Sequence, residues 1–138
     1  MTAEGRAVDL ATSPGQIIET ALVRLRPFRH SDVDDVAAGC ADPLTQRFMP
    51  LLPHPYTRED ALWWVTVGAP AAAAAGGAGL AIADLQTDRL LGSVGIGRIV
   101  PERGQAEIGY WVAPWARRRG VATAAATALA NWAFARGH

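Results

Sequence analysis

Residues Glu107 to Thr123 read E-I-G-Y-W-V-A-P-W-A-R-R-R-G-V-A-T, and this stretch decides the fold. From Gln105 to Val112 the residues alternate: Ala106, Ile108, Tyr110 and Val112 share one face of a strand, Glu107, Gly109 and Trp111 the other. After Pro114 the period changes to that of a helix from about Arg119 to Arg136. Its apolar stripe is Val121, Ala125, Leu129 and Trp132, and Gly137 is its stop. Between the two lies a loop with Arg117, Arg118, Arg119 and Gly120. The first N–H groups of a helix have no acceptor within it, and the dipole makes that end positive, so a strand-loop-helix junction of this kind receives anions. Gly120 lets the backbone approach closely, Ala122 keeps the first turn free of bulk, and Thr123 adds a hydroxyl. Arginines at a helix start oppose the dipole unless an anion joins them, which favours a phosphate-bearing ligand over a merely solvated arginine cluster.

Upstream, the periodicity predicts a strand within Ile17 to Phe28, with Leu22, Arg24 and Arg26 alternating with Val23 and Leu25. Ser31 reads as the cap of a helix whose first turn holds Asp32, Asp34 and Asp35, acids that suit the positive end and need no metal to explain them. A short helical piece with Leu44, Phe48 and Met49 follows. Thr57 caps another helix, with Trp63, Trp64 and Val67 as its apolar face. The alanine and glycine run from Gly68 to Gly79 reads as a helix end plus a loop. Leu80–Leu85 and Leu90–Val100 form a hairpin around Thr87 and Asp88, and a turn from Pro101 to Gly104 leads into the strand quoted first. This order predicts an α+β fold with no repeating βαβ unit. Residues 1–15 lack periodicity and read as a flexible tail, with residues 16–138 as one domain.

Composition narrows the function. With 138 residues there is room for one domain, and 13 basic against 13 acidic residues leave no bulk field for nucleic acid or an acidic membrane. All 13 basic residues are arginine, which excludes a Walker A loop, a Schiff-base enzyme and a pyridoxal-phosphate enzyme. The single Cys40 excludes an internal disulfide and a multi-cysteine zinc site, and His30, His54 and His138 lack metal-ligand spacing. Gly92, Gly95 and Gly97 are spaced G-x-x-G-x-G with no helix after them, so they keep a strand face bare rather than bind a dinucleotide. Met1 to Gly15 has no apolar signal core, and Val65 to Ala83 lacks the large apolar side chains of a membrane span, so the expected compartment is the cytoplasm.

Arg117-Arg118-Arg119-Gly120-Val121-Ala122 resembles the Q/R-x-x-G-x-G/A signature with which the GNAT acetyltransferases hold the pyrophosphate of acetyl-CoA. The preceding strand Glu107 to Val112 and the segment Leu91 to Ile96 strengthen the likeness. Leu22 to Phe28 followed by Ser31-Asp32-Val33 resembles the first strand and helix of the branch that acetylates ribosomal-protein N-termini. The resemblance implies a mostly antiparallel mixed sheet flanked by helices. Here it stops after the CoA-binding helix, where full members continue with a further strand, a helix and two more strands. That remainder normally covers the thioester and supplies the acid for the leaving thiolate. An edge left open at Gln105 to Val112 predicts either a homodimer that covers it or a fragment of a longer protein.

Residue by residue, the resemblance implies that Arg117, Arg118, Arg119, Gly120, Val121, Ala122 and Thr123 line the pyrophosphate, and that Trp111 and Val112 bond the pantetheine arm through their main chain. It implies direct attack of a primary amine, either a protein N-terminus or a small molecule, on the thioester, with no metal. Glu107 is the candidate base, direct or through water, against the alternative of a glutamate paired with an arginine on the sheet. Ser93 either assists or is an ordinary strand hydroxyl. The rival functions are a non-catalytic CoA-binding module and RNA binding through Arg117 to Arg119 with Trp115. Neutral charge and the lack of other arginine clusters count against RNA.

Overall fold

A computed structural model describes residues 18–49, 52–74, 77–100 and 105–135. The expected tail, the Pro101 to Gly104 turn and the Gly137 stop lie outside them. One antiparallel sheet runs in the order β1 (Ile18–Glu19), β2 (Val23–Arg26), β3 (Ala78–Asp84), β4 (Leu90–Val100) and β5 (Gln105–Val112). The helices are α1 (Val33–Ala41), α2 (Pro43–Phe48), α3 (Arg58–Trp63), α4 (Ala69–Ala74) and α5 (Val121–Ala135). No described helix is long and apolar enough to cross a membrane.

The sheet is the middle of three layers. On one face Val23, Leu25, Ile82 and Val94 pack against Val121, Ala125 and Leu129 of α5, which confirms the expected stripe, with Trp132 half-buried at its end. On the other face Ala81, Leu90 and Trp111 pack against Val33, Val36 and Cys40 of α1 and against Ala61 and Val65. The alternation read in β5 thus reaches two separate cores: Val112 packs on the α5 side and Trp111 on the α1 side.

Several local expectations are corrected. The first strand is divided, because the Thr20 hydroxyl accepts from Leu22 N–H (3.0 Å) and Val23 N–H (2.9 Å) and folds the chain between β1 and β2. Arg26 and Leu22, which fall on the same side of the expected alternation, differ in burial. The Arg26 guanidinium is buried in a two-pronged pair with Asp32 (2.8 and 2.9 Å), while Leu22 is exposed. Asp32 therefore does more than suit a helix dipole, and it, not Ser31, closes the helix entry by accepting from Arg29 N–H at 2.8 Å. Asp34 and Asp35 reach Arg58 and Arg89.

Trp63 and Val67 are exposed, and Ala61, Val65 and part of Trp64 make the buried face instead. The helix end expected in the alanine run reaches Ala74, since α3 passes through a π-helical turn, Trp64–Gly68, into α4, and β3 begins at Ala78, ahead of the expected Leu80. The wider turn shifts the phase of the apolar stripe, which a constant 3.6-residue period does not anticipate. In the β3–β4 hairpin Asp88 takes a φ of 65° and holds Arg24, Arg26 and Arg29 together.

Candidate active site

The junction from β5 into α5 forms a recess of about 290 Å³ lined by Val112, Ala116, Arg117, Arg118, Gly120, Val121, Ala122 and Thr123. Six of these eight residues were expected at the phosphates from sequence, and Val112 was expected beside them on the pantetheine arm. The loop is shaped by two residues in the left-handed region, Arg118 (φ 63°) and Gly120 (φ 73°). For a non-glycine residue this conformation costs about 1 to 2 kcal/mol. The first bond within α5 runs from Ala124 N–H to the Gly120 carbonyl (3.0 Å), so the N–H groups of Val121, Ala122 and Thr123 precede the ladder and are open to an anion.

The three arginines separate. Arg117 donates to Asp42 (2.7 Å) and Thr45 (3.0 Å), and this pairing is the leading cause that holds the Asp42 carboxyl below its usual range. Arg119 turns away from the recess to Asp84 at 3.4 Å. Arg118 is exposed and has no carboxylate partner among the described residues. The dipole conflict read from the sequence is thus partly answered by the protein's own Asp42 and Asp84, and Arg118 is left as the cation for a ligand. Trp115, the stacking residue of the RNA reading, is engaged elsewhere: its indole N–H donates to the Leu90 carbonyl (2.8 Å) and Arg89 covers its ring at 4.4 Å.

Along β5 the main-chain roles also divide. Ala113 N–H donates to the Leu91 carbonyl (2.8 Å), and a Cβ on Gly92 would run into the carbonyl oxygen of Trp111. Trp111 therefore directs its main chain at β4. Alternate residues of an antiparallel ladder turn the opposite way, so Tyr110 and Val112 present their N–H and C=O groups at the outer edge. Of the two residues expected to offer their main chain, Val112 faces outward and Trp111 faces β4. The Trp111 indole instead packs so closely on α1 that a Cβ on Gly39 would meet the ring.

The other face of β5 opens on a cleft of about 530 Å³. Gly109, Tyr110 and Trp111 form one wall with Ser93 and Gly95 of β4; Tyr56, Asp60, Trp63 and Trp64 form the opposite wall with Cys40, Met49 and Leu52. Ser93 is buried and its hydroxyl donates to the Leu80 carbonyl at 3.3 Å. Cys40 is pushed up to about 12 by burial, against a hydrogen bond from Tyr56, and burial raises Tyr56 as well. Glu107 stands opposite Gly97 in the β4–β5 register, with the parity of Gly109 and Trp111. Its side chain lies outside the described part. Sequence reasoning did not single out Asp60 or the tryptophan wall, since the π-helical turn that rephases their helix leaves no signal in a uniform period. Asp42 carried a signal, because an aspartate before proline opens a helix well.

The profile of the acetyltransferase (GNAT) domain matches residues 23–138. The chain belongs to the GNAT acetyltransferase family. No curated protein matches it. Among solved structures, this GNAT chain is similar to an acetyltransferase from Agrobacterium tumefaciens, at 27% identity and TM-score 0.67 over 86% of this chain and 67% of that one. It is also similar to the Salmonella typhimurium acetyl transferase that modifies the N-terminal serine of 50S subunit protein L7/L12, at 22% identity and TM-score 0.67 over 88% and 70%. RimL, the ribosomal L7/L12 α-N-protein acetyltransferase, in complex with coenzyme A, matches at 20% and 0.59 over 77% and 60%. The GNAT chain thus spans between 60% and 70% of the length of these three.

Proposed function

We propose that this chain carries the CoA-binding part and one wall of the acceptor site of an acetyl-CoA-dependent N-acetyltransferase that acts on a primary amine. The observation that carries the reading is that successive residues of β5 line both recesses: Val112 lines the first, and Gly109 to Trp111 line the second. The residues fit the cosubstrate. The open N–H groups of Val121, Ala122 and Thr123 and the Arg118 guanidinium suit the pyrophosphate, with Arg117 at the rim and Arg119 outside the recess. The outward main-chain groups of Val112 and Tyr110 suit an extended amide-bearing arm, as an added strand would.

Bound acetyl-CoA supplies a thioester carbonyl for direct attack by the amine. The amine must be neutral: an α-amino group with a pKa of about 7.7 to 8.0 is roughly 10–17% neutral at pH 7, a lysine near 10.4 about 0.04%. Glu107, by its strand position, is the base that takes the ammonium proton, directly or through water. Ser93 is a weaker candidate, because its own proton is committed to Leu80.

An acetyl-transfer assay on a panel of amines tests this reading. Glu107→Gln lowers turnover by about 10²-fold while CoA affinity stays the same. CoA binding with no turnover on any amine would favour the non-catalytic module.

A further inference from the structure

The acceptor cleft has a definite chemical character. Its solvent-facing rim is aromatic, with Trp63 57% exposed, and Tyr56, Trp64, Met49 and Leu52 continue the apolar lining inward. Large aromatic surface left in water is a feature of sites that a ligand covers. One charged side chain, Asp60, lines the cleft among the described residues, and no arginine or histidine does. Its Oδ2 accepts from the Thr57 N–H (2.8 Å) and hydroxyl (2.9 Å), which leaves Oδ1 without a hydrogen-bond partner among the described residues. Tyr56 lines the same cleft.

We infer that the acceptor is a small apolar monoamine: a primary amine on an aromatic body, with no carboxylate next to the nitrogen. The inference rests on the acetyltransferase reading and specifies its substrate class. The Asp60 carboxylate in an apolar wall attracts an ammonium group and repels a substrate carboxylate, so free amino acids are disfavoured. A polyamine's stem covers little of the aromatic surface. A cleft of about 530 Å³ is of the size that encloses a small molecule.

Calorimetry on the 138-residue chain saturated with CoA tests the inference. The probes are 2-phenylethylamine, phenylalanine, spermidine and a short peptide with an N-terminal serine. 2-Phenylethylamine binds at least about tenfold more tightly than the other three. Trp63→Ala, at an exposed position, weakens it by roughly tenfold and leaves CoA affinity unchanged. Asp60→Asn keeps an acceptor for Thr57 and closes the gap between phenylethylamine and phenylalanine. Equal or tighter binding of any comparator, no amine binding at all by the CoA-loaded chain, or no effect of Trp63→Ala overturns the inference. Failure of the chain to bind CoA is a different result and counts against the acetyltransferase reading itself.

Discussion

Arg117 and Asp42, 75 residues apart in sequence, meet at 2.7 Å where the phosphate recess touches the start of α2. The same Asp42 oxygen caps α2 through the N–H groups of Leu44 and Thr45, each at 3.1 Å. One carboxylate therefore fixes both a recess arginine and the helix that leads into the acceptor wall. Asp42→Ala should lose about 1 to 2 kcal/mol of stability in urea unfolding, chiefly through the lost cap. Asp42→Asn, which keeps the cap, should lose clearly less.

The same carboxylate sets an acid response. The Arg117 hydrogen bond holds Asp42 below its unfolded value, and the Thr87 and Gln86 N–H groups do the same for Asp84. A depressed carboxyl contributes stability that is fully present above the unfolded pKa of about 3.9 and is lost as pH falls through the folded value. Thermal melts of the wild type should be flat in this contribution from pH 7 to 5 and fall below pH 4. Asp42→Asn should fall less steeply over that acid range.

The buried Arg26–Asp32 pair makes a different prediction. Removing one partner leaves an uncompensated charge, so Arg26→Met should cost about 3 to 5 kcal/mol or prevent folding. The double variant Arg26→Met with Asp32→Asn should recover part of that loss. Urea unfolding of the two variants distinguishes an unpaired-charge effect from lost packing.

Cys40 should be inert although it lines the cleft. Its thiol, buried and pushed up to about 12, stays protonated at ordinary pH, and the thiolate is the reactive form. Labelling with a disulfide reagent at pH 8 should be slow in the folded chain and fast in denaturant. Fast labelling of the folded chain would contradict this packing.

The parts of the molecule that were legible in the sequence are those governed by regular periods. The bounds of β5 and the Val121, Ala125, Leu129 stripe follow from alternation and helical spacing, and the phosphate loop follows from a strand-to-helix junction that ends in glycine. What stayed hidden depends on partners distant in sequence. The burial of Arg26 rests on its mate Asp32, which lies across a turn, and Arg117 and Arg119 meet Asp42 and Asp84, which arrive from other elements. The π-helical turn at Trp64–Gly68 rephases its helix and so exposes Trp63, a side chain that a uniform period buries. Trp111 turns its main chain to β4, an orientation set by pairing with β4 and not legible from β5 alone.

The central claim is that CoA binds at the start of α5. Calorimetry of CoA with the wild-type chain and with Gly120→Asp tests it most directly. The variant puts a Cβ at a φ of 73° and a carboxylate beside the open N–H groups of the first turn. The wild type should bind CoA with an affinity that weakens as salt rises, because the contact is between phosphates, arginine and N–H donors. Gly120→Asp should abolish that binding while circular dichroism still reports a folded chain. Equal affinity in the two proteins, or no binding by the wild type, would contradict the account.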